Sequence, residues 1–199
     1  MAEFKFTHAV MSAGKTRELA RIRYIHQEKG QHVVVAVPST DNRHGEGVVK
    51  ARSGENFSAY SVEPGKMKDW INLLLDEIEK IGKGAKIDCI LIDETQFFTK
   101  EDIFAIKEIA VLNNKIPVKA FGLKSDFKNQ IFEGAQAALV VAESIEEIET
   151  MCAFCNDKAI MNLRFQDGKP VRKGEQIQIG DEEYRPVCHK HYLNDNLTI

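Results

Sequence analysis

Apolar residues follow two different periods along the chain. Residues 4–7 alternate between apolar and polar and predict a strand. Continuous apolar runs over residues 32–37, 87–92 and 116–121 predict strands that are buried on both faces of a parallel sheet. A further apolar run over residues 137–141 completes the predicted set of strands.

Helical spacing separates these runs. Residues 17–22 continue as a helix after the first strand, and residues 67–81 and 100–112 carry apolar side chains at helical intervals. Strands that alternate with helices predict an α/β fold with a parallel sheet and right-handed crossovers. Residues 39–58 are polar and contain three glycines, which predicts a long loop, and loops of this length are usually functional or mobile.

The texture of the sequence changes after about Ser144. Glycines, charged residues and short β-like segments dominate from Cys152 to Tyr192. We therefore expect two domains, a nucleotide-binding α/β domain over residues 1–148 and a small second domain over residues 149–199.

A phosphate-binding loop follows the first predicted strand. The pattern G-x-x-x-x-G-K-[ST] is complete except that Ala9 replaces the first glycine. Backbone N–H groups at a helix N-terminus attract phosphate, Lys15 neutralises it, and Thr16 can hold magnesium. The sequence therefore predicts a nucleoside triphosphate site formed by Ala9, Val10, Met11, Ser12, Ala13, Gly14, Lys15 and Thr16.

An acidic pair, Asp93 and Glu94, follows the third predicted strand. Beside a phosphate loop, such an aspartate orders the metal ion and its waters. Glu94 is then placed to accept a proton from an attacking hydroxyl or to orient a water molecule. A strand cap beside a solvated acid is the alternative interpretation, and the spacing alone leaves both a kinase and an ATPase open.

Two ligand pairs with metal-binding spacing lie in the second predicted domain. Cys152 and Cys155 form one pair, and Cys188 and His191 form the other. This spacing is typical of a structural zinc ribbon, since four protein ligands leave no open coordination position. Four unrelated reduced residues are the alternative, and His189 competes as fourth ligand but lies too close to Cys188 in sequence.

Composition excludes several classes of function. The 199 residues are 43% hydrophobic and 29% charged, with a formal net charge of −3. That charge gives no reason to expect binding to nucleic acid or to a membrane surface, and no apolar run approaches a membrane span. Cysteines with metal-like spacing and the lack of a secretory signal at the N-terminus fit a reducing cytoplasm better than a disulfide framework. The remaining cysteine, Cys89, is expected in the core.

The ordered motifs resemble the type II thymidine kinases, the family with a zinc ribbon, and in particular its bacterial and phage-like members. The resemblance covers nearly the whole chain. Its segments are Met11-x-Ala13-Gly14-Lys15-Thr16, Asp41-x-Arg43, Asp93-Glu94-Thr95-Gln96-Phe97-Phe98, Gly122-Leu123-Lys124-Ser125-Asp126-Phe127 with Phe132, the two zinc pairs, and Tyr184.

This resemblance implies transfer of the γ-phosphoryl group of ATP to the 5′-hydroxyl of thymidine or deoxyuridine, in pyrimidine deoxynucleotide salvage. Lys15 would hold donor phosphates, Thr16 and Asp93 would hold Mg²⁺, and Glu94 would be the general base. Arg43 is a further catalytic candidate and Arg52 a further phosphate ligand. The nucleoside site would consist of Met11, Asp41, Arg43, Gln96, Phe97, Leu123, Phe127, Phe132 and Tyr184.

The family further implies a homotetramer and a lid over the nucleoside that the structural Zn²⁺ anchors. Two departures stand out: Ala9 replaces the loop glycine, and Asn162 replaces a pocket threonine of the animal enzymes. The competing functions are an ATPase or a kinase of another deoxynucleoside, and a zinc-ribbon nucleic-acid module with an inactive phosphate loop. The net negative charge and the intact Gly14-Lys15-Thr16 segment argue against the last.

Overall fold

The computed structural model describes residues 2–41, 47–50, 56–82, 84–174 and 183–199. A short 3₁₀ turn covers Thr95–Phe97, and a π-helix covers Lys107–Asn113. In chain order the other elements are β1 (Phe4–Ala9), α1 (Lys15–Glu28), β2 (Val33–Pro38), β3 (Val48–Lys50), β4 (Asn56–Ser58), β5 (Tyr60–Val62), α2 (Met67–Ile81), β6 (Cys89–Ile92), α3 (Lys100–Ile106), β7 (Val118–Leu123), α4 (Glu133–Val141), β8 (Ser144–Ile148), β9 (Met161–Gln166), β10 (Lys169–Val171), β11 (Glu183–Val187) and α5 (His189–Tyr192).

Six strands form one sheet in the order β5-β2-β6-β7-β1-β8, and every neighbouring pair is parallel. The predicted α/β fold with a helix-flanked parallel sheet is therefore confirmed. Because the strands are parallel, the carboxyl ends of β1, β2, β6 and β7 all meet at one edge of the sheet.

The central strands bury both of their faces. Along β2, Val34 and Ala36 contact the larger core under α2, α3 and α4, whereas Val35 and Val37 contact a second core under α1. The hairpin of β3 and β4 adds Phe57 to this second core. Burial on both faces explains why these strands appear in the sequence as unbroken apolar runs.

The predicted strand over residues 137–141 is wrong, because these residues form the second half of α4. A short apolar run fits a buried helix as well as a strand, and alanine has the highest helix propensity. Ala137 and Ala138 face the core, while Val140 is 72% exposed. The sixth strand is β8 instead, which lies at the edge of the sheet. Its exposed glutamates interrupt the apolar pattern by which a strand is recognised in the sequence.

Two other segments differ in detail from expectation. The predicted loop over residues 39–58 contains the hairpin of β3 and β4. The predicted helix over residues 100–112 is α-helical through Ile106 and then continues as the π-helix. Ile103 and Ile106 are buried, whereas Phe104 and Leu112 are exposed.

A smaller antiparallel sheet, in the order β10-β9-β11, follows the large one in sequence. Its own core contains Leu163 and Phe165 from β9, Val187 from β11 and Tyr192 from α5. Cys152 and Cys188 belong to the same core, and Cys155 packs against it, so these predicted metal ligands lie at the core of the small sheet.

One buried carboxylate fixes the starts of two helices on the same face of the large sheet. Asp102, which is 2% exposed, accepts hydrogen bonds from the backbone N–H groups of Gly65 (2.7 Å), Met67 (3.0 Å) and Thr99 (3.0 Å). It also forms a capping box with Thr99 at the start of α3. The N-terminal ends of α2 and α3 therefore depend on a single side chain.

Replacing Asp102 with alanine should destabilise the fold by about 3 kcal/mol or more, because three N–H groups lose their acceptor in or near the core. Urea unfolding of wild type and variant measures the loss. Asp69→Ala is the matched control, since Asp69 is in the first turn of α2 with its side chain 69% exposed. It should cost less than about 1 kcal/mol; equal losses in the two variants would contradict the role of Asp102.

Candidate active site

The phosphate loop connects β1 to α1, as its sequence predicts. Ala9 is the last residue of β1 and pairs with Leu123 and Ile148, so its backbone is extended and a glycine is not needed there. The left-handed backbone occurs further along, at Ser12 (φ 62°) and Gly14 (φ 98°). Gly14 caps α1, and its conformation favours glycine. The missing first glycine is therefore compatible with this loop geometry.

Asp93 lies directly beside the start of α1. The Thr16 hydroxyl donates a hydrogen bond to Asp93 Oδ2 at 3.2 Å, and the Lys15 side chain is buried close by. Burial and the neighbouring Glu94 carboxylate raise the pKa of Asp93 to about 7, while Lys15 and two hydrogen bonds oppose the shift. A divalent cation at this position would favour the ionised carboxylate. The oxygen atoms of Thr16 and Asp93 are suited to magnesium.

Glu94 takes a rare left-handed backbone conformation with φ 48°. Its N–H donates to Asp93 Oδ1 at 2.9 Å, and its carboxylate accepts a hydrogen bond from Gln96 Nε2 at 2.5 Å. Gln96 Oε1 in turn accepts from the backbone N–H of Leu123 at 2.9 Å. The acidic pair is thereby connected to the end of β7.

The predicted aromatic residues of the nucleoside site form two pairs. The rings of Phe97 and Phe132 meet edge to face at 5.9 Å, next to the larger core. The rings of Phe127 and Tyr184 lie 6.3 Å apart, between the segment after β7 and the small sheet. Leu123 is buried and Met11 is half-buried against the larger core.

Two residues of β9 have roles that the sequence did not reveal. The Asn162 side chain accepts a hydrogen bond from the backbone N–H of Met11 at 2.7 Å and donates to the Ser125 carbonyl at 3.3 Å. The Arg164 guanidinium lies 4.9 Å from the centre of the Phe127 ring. Both side chains are buried polar groups. The resemblance singled out the position of Asn162 without its hydrogen bonds, and Arg164 does not stand out in a strand where polar and apolar residues alternate.

The small sheet is thus attached to the phosphate loop and to the segment after β7. Asn162 makes the first connection, and the Tyr192 hydroxyl makes the second by donating to the Phe127 carbonyl at 2.9 Å. A shift of the small sheet would therefore move groups on both sides of the candidate site.

The four predicted metal ligands come together. Their ligand atoms all lie within 4.8 Å of one another. Cys188 Sγ is 3.3 Å from His191 Nδ1, Cys152 Sγ is 3.5 Å from the same atom, and Cys155 Sγ is 3.8 Å from Cys188 Sγ. A tetrahedral zinc ion requires roughly 3.5–3.8 Å between such atoms, so this Cys₃His cluster fits the ion.

The remaining predicted residues lie near β2. Asp41 follows this strand, and its N–H donates to the Pro38 carbonyl at 2.9 Å. Arg43 and Arg52 are outside the described residues.

A parallel sheet with a Gly-Lys-Thr loop after its first strand, and an aspartate bonded to the loop threonine, defines a P-loop nucleotide-binding protein. Residues 2–192 match the family model described as thymidine kinase. The chain belongs to the thymidine kinase family.

Bacterial relatives align over their full lengths. A thymidine kinase from Lactobacillus acidophilus is 40% identical over 200 residues, with 100% of each chain covered. A thymidine kinase from Lactiplantibacillus plantarum is 42% identical over 194 residues, covering 97% of this chain and 96% of the relative. Among solved structures, the Pif1 helicase from Candida albicans is 13% identical with a TM-score of 0.41, covering 74% of this chain and 36% of that one, which is too distant to inform the function.

Within the described ranges, no helix has the length and apolar character required to cross a membrane.

Metal analysis tests the Cys₃His cluster. The intact protein should contain zinc in a one-to-one ratio, and Cys188→Ser should lose it, because a serine oxygen replaces a thiolate ligand. Cys89→Ala is the matched control, since Cys89 lies in β6 outside the cluster, and this variant should retain its zinc. Absence of zinc from the intact protein would show that the cluster is not a zinc site.

Proposed function

We propose that this protein transfers the γ-phosphoryl group of ATP to the 5′-hydroxyl of thymidine or deoxyuridine and so serves pyrimidine deoxynucleotide salvage. The full-length match to the thymidine kinase family supports this activity. The observation that most supports the proposed site is the hydrogen bond from the Thr16 hydroxyl to Asp93, because Glu94 is the residue next to Asp93. In this arrangement Thr16 and Asp93 would hold the metal ion, and Glu94 would be the base beside the phosphate loop.

The donor half of the site is the phosphate loop. Loop N–H groups and the Lys15 ammonium would bind the β- and γ-phosphates. Thr16 and Asp93 would hold magnesium, which neutralises charge on the donor phosphates. Phosphoryl transfer depends mainly on positioning and charge neutralisation, and these residues supply both.

The acceptor half begins at Glu94, which would remove the proton from the 5′-hydroxyl as the phosphoryl group arrives. Asp41 and Arg43 would serve the acceptor hydroxyl and the transferred phosphate. This assignment of Asp41 is supported by its position after β2, the strand that pairs with β6.

The base would lie against the two aromatic pairs. Flat pyrimidines need aromatic walls and a few placed polar groups, and the ring pairs Phe97–Phe132 and Phe127–Tyr184 would provide such walls. Met11 and Leu123 would complete the apolar surface. Residues 1–148 would bind ATP, and residues 149–199 would form the lid, which zinc and the Asn162 hydrogen bonds hold in place.

Two broader expectations have different grounds, which are the family resemblance for the assembly and the cysteine usage for the compartment. We propose that the active form is a homotetramer and that it works in the cytoplasm. Light scattering after size-exclusion chromatography measures the first directly.

A panel of nucleosides tests the proposed specificity. With ATP and magnesium, thymidine and deoxyuridine should be converted to their 5′-monophosphates. The purine deoxynucleosides should not react, because the proposed pocket has room for one flat ring, and deoxycytidine should not react, because its 4-amino group and unprotonated N3 reverse the donor and acceptor positions of the thymine edge. Chromatography of the products measures each rate. Equal turnover of deoxycytidine would favour a broader nucleoside kinase, and ATP hydrolysis without any acceptor product would favour an ATPase.

Replacing Glu94 with glutamine should lower turnover of thymidine by roughly 100-fold or more while ATP affinity stays close to normal, as expected for loss of a general base. Steady-state kinetics and calorimetric titration of ATP measure the two effects. Glu101→Gln is the matched control, because Glu101 is an exposed acid in the first turn of α3. Full activity of Glu94→Gln would remove Glu94 from this role.

A further inference from the structure

We propose that Gln96 is a positioning residue that aims the Glu94 carboxylate at the acceptor hydroxyl, rather than a contact to the nucleoside. The resemblance placed Gln96 with the nucleoside ligands, but its side-chain amide is engaged at both ends by the protein. This assignment rests on the proposed function, in which Glu94 is the base.

The hydrogen bonds of Gln96 determine which way its amide points. Gln96 Oε1 accepts the Leu123 N–H at 2.9 Å, and Nε2 donates to Glu94 Oε2 at 2.5 Å. Reversing the amide would place an NH₂ group against an N–H donor and an oxygen against a carboxylate, so only one orientation is compatible with both neighbours. The side chain is 3% exposed, which keeps this connection inside the protein.

The end of β7 provides the space for this connection. A Cβ atom on Gly122 would lie 2.9 Å from Gln96 Oε1 and 3.3 Å from both Gln96 N and Thr95 Cβ. Since real Cβ atoms essentially never approach an oxygen this closely, a larger residue at position 122 would displace the amide. Glycine at this position therefore permits the close approach of Gln96 to the strand end.

Glu94 needs such a support for a geometric reason. Its backbone is left-handed, and its side chain has three rotatable bonds, so the carboxylate could otherwise occupy several positions. A general base works only within hydrogen-bond reach of the proton that it removes. The hydrogen bond from Gln96 holds the Glu94 carboxylate on one side of the strand end. The Leu123 N–H in turn fixes the position of the Gln96 amide, so the end of β7 determines where the carboxylate lies.

The isosteric substitution Gln96→Glu tests this role. It keeps an acceptor for the Leu123 N–H but replaces the donor to Glu94 with a second carboxylate. Turnover of thymidine should fall by about tenfold or more, while the KM values for thymidine and ATP stay within about twofold. In the Glu94→Gln background the same substitution should cause no further loss of turnover, because there is no base left to position.

A nucleoside contact would behave differently. It would raise the KM for thymidine, and its effect would persist in the Glu94→Gln background; either result would overturn the assignment. Gln136→Glu is the matched control on the exposed face of α4 and should leave both kinetic constants unchanged. Gly122→Ala supplies a second variant, which should reproduce the loss of turnover by displacing the intact glutamine.

Thermal unfolding provides a readout that is independent of activity. Gln96→Glu should lower the melting temperature through repulsion between two carboxylates, and adding Glu94→Gln should restore it, since the donor and acceptor are then exchanged. Absence of this restoration would overturn the contact itself. Absence of thymidine turnover by the intact enzyme would instead overturn the proposed function, and the unfolding result would still decide whether Gln96 and Glu94 interact.

Discussion

Parallel pairing of β6, β7 and β1 is the constraint on which the candidate site depends. These three strands all end at the same edge of the sheet, so the phosphate loop after β1, the acidic pair after β6 and the Gly122-Leu123 segment of β7 are brought together. The hydrogen bonds from Thr16 to Asp93 and from Leu123 to Gln96 then connect the three strand ends directly. Both connections join residues that are far apart in sequence.

Rare backbone geometry occurs at the same edge, as it does at Lys115, Asn129 and Asp167 elsewhere in the described residues. Ser12 and Glu94 both take left-handed conformations, one in the phosphate loop and one in the acidic pair. Such conformations persist only where surrounding contacts determine them, and the buried hydrogen bonds of Asp93 and Gln96 are such contacts. The rigid two-sided core beneath the edge supplies the support, since its strands are packed on both faces.

The small sheet is positioned by polar contacts rather than by a continuous apolar core. Its own core around Leu163 and Phe165 is separate from the two cores of the large sheet. Asn162 and Tyr192 reach across to the phosphate loop and to the Phe127 carbonyl. A zinc ion in the Cys₃His cluster would stiffen the core of the small sheet and so keep the Asn162 and Tyr192 side chains in position for these hydrogen bonds.

The sequence by itself determined the fold class through the alternation of apolar strands with helices, and it determined the phosphate loop, the acidic pair and each ligand pair of the metal cluster through residue types at short, fixed spacing. Gly14-Lys15-Thr16 and each of the two ligand pairs need only a local turn, whereas the complete Cys₃His set forms only when the folded chain brings the two pairs together. The tertiary structure alone decided that residues 137–141 are helical, because a short apolar run is compatible with a buried helix and with a buried strand. It alone placed Asn162 beside Met11 and Gln96 between Glu94 and Leu123, since a side-chain amide shows its partners only when distant segments of the chain meet.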